Sequence, residues 1–128
     1  MPVSFNQDSV FNLKPIRLES VRKDVEKMLV DGEEAVMAFR TVRDQLVFTN
    51  KRIIAVDVQG LTGTRRTFSS MPYKKVQYFS IQTPGFGELM PDTELFLVFS
   101  NSFTAKFEFR GSVDVGLLSR LIGRYVLD

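Results

Sequence analysis

The 128 residues include no histidine and no cysteine. Any chemistry would therefore have to come from carboxylates, lysine, tyrosine or a hard cation. The missing thiols exclude disulfide frameworks, thiol nucleophiles and Cys-based metal sites. The missing imidazoles exclude the usual general base, the Ser-His-Asp and Cys-His arrangements and most zinc chemistry. The close acidic pairs are Glu33-Glu34 and Glu88 with Asp92. Adjacent residues on a strand point to opposite faces, so Glu33 and Glu34 cannot share a substrate. Gly60-Leu61-Thr62-Gly63 and Gly85-Phe86-Gly87 lack the spacing and the following helix of a phosphate loop, and no calcium loop is present. No catalytic residue, cofactor or metal site is expected.

Charge is more informative. The net +2 divides into +6 over Arg40–Lys75 and −4 elsewhere. Arg65, Arg66, Lys74 and Lys75 form a candidate basic patch within the positive stretch. Such a field favours an acidic protein, an anionic membrane or a nucleic acid, or else it is a set of solvated strand faces. Aromatics lie beside basic residues at Phe39-Arg40, Arg66 near Phe68 and Tyr73-Lys74, as in single-strand binders. The phenylalanines occupy core-like alternating positions, however, and the RNA-recognition consensus is absent, so nucleic acid is the weakest of these readings. The start of the chain has no secretory signal, and its longest apolar run, Leu95–Phe99, is far short of a membrane span. A cytoplasmic protein is expected.

These residues are positioned by a regular series of short elements. Residues 1–17 lack clear periodicity and read as an arm or a short helical turn. From Leu18 the spacing of Val21, Val25, Met28 and Leu29 predicts a helix that ends at Asp31-Gly32. Seven strands then follow, beginning at Glu33, Gln45, Arg52, Thr64, Lys75, Glu94 and Phe103 and joined by short turns. Ser112 is expected to cap a final amphipathic helix from about Val113 to Leu127, with Asp114 in its first turn. The domain is placed at residues 31–128, with residues 1–30 as an arm and helix. The predicted fold is mainly β: a seven-stranded antiparallel bent sandwich or partly open barrel, capped by the C-terminal helix.

Three strands carry apolar residues on both faces. Ile53 and Ala55 oppose Ile54, Val56 and Val58; Leu95, Leu97 and Phe99 oppose Phe96 and Val98; Val76 and Tyr78 oppose Phe79 and Ile81. The second face needs cover, from the N-terminal helix or from a neighbouring subunit. One helix cannot cover opposite sides of a small barrel, so Ile54, Val56, Phe79, Phe96 and Val98 are expected to form an apolar subunit interface.

The block Arg43-Asp44-Gln45-Leu46-Val47-Phe48-Thr49-Asn50-Lys51-Arg52 through Asp57-Val58-Gln59-Gly60-Leu61-Thr62-Gly63, with Met71-Pro72-Tyr73-Lys74-Lys75-Val76, closely resembles the bacterial pleckstrin-homology (PH) domain family. The resemblance covers about residues 31–127. It implies a PH-like fold and a cyclic, dome-shaped homo-oligomer of five subunits. It also implies a polar surface shared between neighbouring subunits that binds a protein partner. Arg43, Asp44, Asn50, Lys51, Arg52, Asp57, Gln59 and Thr62 are the candidates for that surface. Turn-making is the alternative role of Asp44 and Asn50, and Asp57 is expected to pair with an arginine. The loop 86–91 departs from many relatives. Lipid-binding eukaryotic PH domains cradle phosphates in a long loop between the first two strands, whereas here that connection is only about Arg43-Asp44, with the Arg partnered by the Asp. The fold therefore does not carry phosphoinositide binding with it. What remains is an interaction domain, with peripheral binding to anionic membranes as the alternative.

Overall fold

Eight strands build one curled sheet in the computed structural model, which describes residues 9–84, 92–111 and 113–127. They are β1 (Ser9–Ile16), β2 (Ala35–Arg40), β3 (Gln45–Thr49), β4 (Arg52–Gln59), β5 (Arg65–Pro72), β6 (Val76–Gln82), β7 (Asp92–Phe99) and β8 (Thr104–Arg110). A short helix, α1 (Lys23–Glu26), precedes β2, and a 12-residue helix, α2 (Val115–Val126), closes the chain. The order across the sheet is β5-β4-β3-β2-β1-β8-β7-β6. The mainly β architecture with a C-terminal helix is the expected one. The seven predicted strands are present and an eighth joins them. The sequence feature placed at loop residues 86–91 lies outside the described residues.

The added strand is β1, in the stretch read from sequence as an arm. It pairs antiparallel with β2 and parallel with β8, so it sits between the two halves of the sheet. Its alternation is hidden by a register shift between Val10 and Leu13, where Asn12 takes a left-handed φ of 61°. A bulge of this kind resets which side chains face inward. Pro15, with no N–H to donate, further obscures the strand.

The predicted N-terminal helix is also corrected. Leu18–Ser20 is a 3-10 turn and α1 spans four residues. Between them Val21 and Arg22 are extended (ψ 138° and 141°), and the Arg22 N–H donates to the Gln45 side chain instead of to a helical carbonyl. The apolar spacing nevertheless has its effect. Val21 and Val25 pack with Ala38, Val47, Ile54 and Val56 into a second core on the outer face of β3 and β4.

The main core fills the concave side. Phe39, Phe48, Phe107 and Phe109 meet there in one aromatic cluster, with Leu13, Leu46, Ile53, Leu95 and Leu97 around it. Helix α2 lays Leu118 and Ile122 over the open side, its apolar stripe being that of a surface helix. Asp114 rather than Ser112 caps it: the Asp114 carboxylate accepts from the Leu117 N–H at 2.9 Å, and Ser112 lies outside the described residues. Gly123 is buried in α2.

Candidate functional site

The eight residues expected to form one polar surface separate into two groups at opposite ends of β3 and β4. These strands run antiparallel with Gln45 opposite Val56 and Phe48 opposite Ile53. The β3–β4 hairpin therefore carries Asn50, Lys51 and Arg52 at one end. The β2–β3 and β4–β5 turns carry Arg43, Asp44, Asp57, Gln59 and Thr62 at the other.

At the hairpin end the side chains build structure. Arg52 donates from Nε and Nη2 to both oxygens of Glu33 (2.9 and 3.0 Å), from Nη2 to the Met28 carbonyl and from Nη1 to Ser70 Oγ. The Glu33 side chain is 0% exposed and that of Arg52 20%. Thr49 Oγ1 adds a 2.6 Å hydrogen bond to Glu33. Burial pushes the Glu33 carboxyl up, but the bonds from Arg52, Thr49 and the Val30 N–H outweigh it and hold its pKa below the ordinary value. Asn50 bridges the Gly32 carbonyl and the Glu34 N–H. Its own carbonyl accepts from the Tyr125 hydroxyl, while Tyr73, stacked on Tyr125, donates to the Thr49 carbonyl at 2.6 Å. The end of α2 is thus tied to this hairpin. Lys51 alone of the three is exposed.

At the other end two carboxylates turn inward. Asp44 Oδ1 accepts from the Val58 N–H at 2.8 Å. Asp57 Oδ2 accepts from Gln59 Nε2 at 2.8 Å, and its Oδ1 is buried without a hydrogen-bond partner. Among the described residues no arginine pairs with Asp57; its partner is Gln59, two positions along the same strand. Arg43, expected to pair with Asp44, instead donates from Nη2 to the Gly60 carbonyl at 2.6 Å. That bond depends on the tight turn at Gly60 and Gly63, whose φ values of 84° and 69° suit glycine. Thr62 is exposed and bonds to Thr64.

Burial, and to a smaller extent Asp57, raises the pKa of Asp44 above its ordinary value, against the pull of the Val58 N–H. A carboxyl with a raised folded-state pKa is penalised when ionised. Its contribution is least favourable above the folded pKa and recovers as pH falls toward the unfolded value. Asp44→Asn keeps an acceptor for Val58 and removes the charge. It is expected to match or exceed the wild type in stability at neutral pH and to lose that advantage near pH 4. Urea denaturation at the two pH values checks this, and an advantage that grows on acidification contradicts it.

The basic patch also divides. Arg65 and Arg66 begin β5, whereas Lys74 and Lys75 lie beyond its far end. Arg66 reaches Asp24 at 3.3 Å. An open groove of about 490 Å³ lies beside the far end of β5, between Ser69, Ser70, Met71 and Lys75 on one side and Phe99 and Phe103 on the other.

The expected apolar interface is corrected at three positions. Ile54 and Val56 are fully buried beneath Val21 and Val25 of the same chain. Phe79 packs toward the main core beside α2. The outer face of β6 and β7 retains half-buried Phe96 and Val98 beside Tyr78, which is 54% exposed. Tyr78 stands opposite Val98 and meets Phe96 edge-on at 6.3 Å. The structure adds Glu33, Thr49, Tyr78, Val42 and Leu61 to the residues of interest. The last two carry a readable signal, an aliphatic residue set in a polar turn.

The family model of the bacterial PH domain matches residues 4–126. The chain is a bacterial PH-domain protein. Among solved structures, this PH domain is similar to a DUF1696 family protein with a pleckstrin-homology domain from Shewanella loihica PV-4. The two are 31% identical with a TM-score of 0.74, over 90% of this chain and 97% of that one. It is also similar to a pleckstrin homology domain from Shewanella amazonensis SB2B, at 34% identity and TM-score 0.61, covering 88% and 90% of the two chains. Two uncharacterized Bacillus subtilis (strain 168) proteins match in sequence. YjqA is 42% identical over 84 residues, 66% of each chain. YozO is 32% identical over 104 residues, 81% of this chain and 88% of its own. The match thus spans slightly under two thirds of YjqA. Among the described residues of the PH domain, no helix is long and apolar enough to cross a membrane.

Proposed function

We propose that the protein is a non-enzymatic, self-assembling interaction domain of the cytoplasm that forms a cyclic homo-oligomer of five subunits and binds a protein partner through polar residues near the subunit junctions. The observation that carries this reading is the asymmetry of the two outer sheet faces. The face of β3 and β4 is covered by Val21 and Val25. Tyr78, Phe96 and Val98 on β6 and β7 have no comparable cover among the described residues, and they adjoin β6, an edge of the sheet. An apolar patch beside an open strand edge is a surface that a second copy can cover. The opposite edge, β5, differs from β6, so contacts between them are head-to-tail and close into a ring when the rotation permits.

Size-exclusion chromatography with light scattering tests assembly. The wild type is expected as a multimer, and Phe96→Asp as a folded monomer, since a carboxylate at the contact would have to lose its water on association while Lys106 opposite it is already shared with Glu94. A wild-type monomer at micromolar concentration overturns the reading. Lys51 is the polar residue whose reversal leaves the fold alone. Lys51→Glu should preserve assembly and lose the partner in a crosslinked pull-down, and an unchanged set of captured proteins removes Lys51 from the binding surface.

A further inference from the structure

The groove beside the far end of β5 holds about 490 Å³, within the range of small-molecule sites. Its floor is apolar. Buried Met71 and Phe99 lie there with half-buried Phe103, the two rings 5.6 Å apart. Both walls are fixed before anything binds. On one side β5 is paired along β4. On the other the Phe99 N–H donates to the Phe103 carbonyl and the Ser100 N–H to the Lys75 carbonyl, both at 2.8 Å. Little ordering is therefore lost when a ligand enters.

The rim is rich in donors. Ser69 shares the inner face of β5 with Met71, two residues on. β5 has a neighbour, β4, on one side only. The Tyr73 N–H bonds back to the Lys51 carbonyl, and in the same register Met71 faces Ile53 and Ser69 faces Ala55. The alternate residue, Ser70, therefore turns its backbone N–H and C=O to the open side. Asn101 accepts from the Phe103 N–H at 3.1 Å through its side-chain oxygen, which leaves the amide N–H pair as donors. Lys75 completes the rim. It is exposed and takes part in none of the ion pairs among the described residues. Among those residues, no carboxylate lines the groove.

We propose that this groove binds a small aromatic carboxylic acid, its ring on Met71, Phe99 and Phe103 and its carboxylate toward Lys75 and the donors of Ser69, Ser70 and Asn101. A rim with one cation and no acid selects an anion, and the apolar floor selects an anion with an organic body rather than an inorganic one. Two rings and a thioether favour an aromatic body. A peptide strand added to β5 is less well served. Within the groove it would meet the open backbone groups of Ser70 alone, since Pro72 has no N–H and residues 73–75 then cross to β6. The site is built by one copy and does not rest on assembly.

Titration of the full chain with phenylacetate, followed by backbone amide NMR shifts, tests the proposal. It is made on the wild type and on Phe96→Asp, so that a neighbouring subunit over the β5 edge is not mistaken for a groove without affinity. Saturable shifts confined to the groove residues are expected, with a Kd of about 1 mM or below. The uncharged phenylacetamide should bind about fivefold more weakly, and that preference should shrink as salt rises. Acetate, which keeps the carboxylate without the ring, should bind about tenfold more weakly or worse. In Lys75→Gln the acid should fall to the level of the amide while the amide binds as before, a pattern that loss of structure does not produce. Shifts that fail to saturate by about 10 mM in both chains overturn the proposal, as does equal binding of acid and amide by the wild type. Binding of a peptide ending in phenylalanine without any binding of phenylacetate would assign the groove to a protein tail, and also overturns it.

Discussion

Replacing Arg52 by alanine is expected to destabilise the fold by about 3–5 kcal/mol, the range for removing one partner of a buried ion pair. The cause is what remains. Glu33 has a fully buried side chain, and Arg52 is its only cationic partner in an ion pair among the described residues. The substitution also frees the Met28 carbonyl and Ser70 Oγ, so the connection between α1 and β2 loses its hold on β4. Arg52→Lys restores the charge but not the two-pronged donor geometry, and should recover only part of the loss. Replacing both Glu33 and Arg52 by leucine should cost less than Arg52→Ala alone, because no charge is then stranded. Acid reports the same pair. The lowered pKa of Glu33 means that its stabilisation is complete above the unfolded value near 4.5 and is lost as pH falls through the folded value. In Arg52→Ala that acid-labile contribution should disappear. Urea denaturation followed by circular dichroism measures all four chains, and a loss below about 1 kcal/mol for Arg52→Ala would show the pair to be dispensable.

Phe109→Ala is the second large effect, at about 3–5 kcal/mol. Phe109 is fully buried and lies 4.5 Å from the Phe39 ring, 6.2 Å from Phe48 and 6.5 Å from Phe107, centroid to centroid. These rings come from β2, β3 and β8, so the cavity would open where the two halves of the sheet face each other. Phe109→Leu retains most of the volume and should cost clearly less. Equal losses for alanine and leucine would mean that the ring's shape, rather than the filled space, is what matters there.

The strands from β2 onward were legible because short turns bound runs rich in β-branched and aromatic residues, and the last of them because Phe103, Ala105, Phe107 and Phe109 alternate strictly with polar residues. β1 was not, since the bulge at Asn12 and the proline at position 15 erase its period. The helix expected from Leu18 failed for a related reason. Val21 and Val25 have helical spacing, but that spacing also serves two separate turns pressed on the same face of β4. The polar surface was only partly legible. Sequence shows that Arg52, Asn50 and Asp44 lie at or beside turns. It does not show that their hydrogen bonds run inward to Glu33, Gly32 and Val58, because those partners are fixed by how distant segments fold back. Ile54 and Val56 were correctly read as needing cover, and their own chain supplies it.

The central position of β1 has a consequence for synthesis. Asn12 and Arg110, joined across the β1–β8 seam, are 98 residues apart. A ribosome adding about 5–20 residues per second delivers β1 several seconds or more before the strand it lies beside. During that interval the β1–β5 half can pair, but β1 keeps one naked edge in the middle of the future sheet. Closing it pairs the two strands farthest apart in sequence among the described ones, and so comes late. The nascent chain thus carries a temporary edge on β1, open to intruding strands until β8 leaves the exit tunnel.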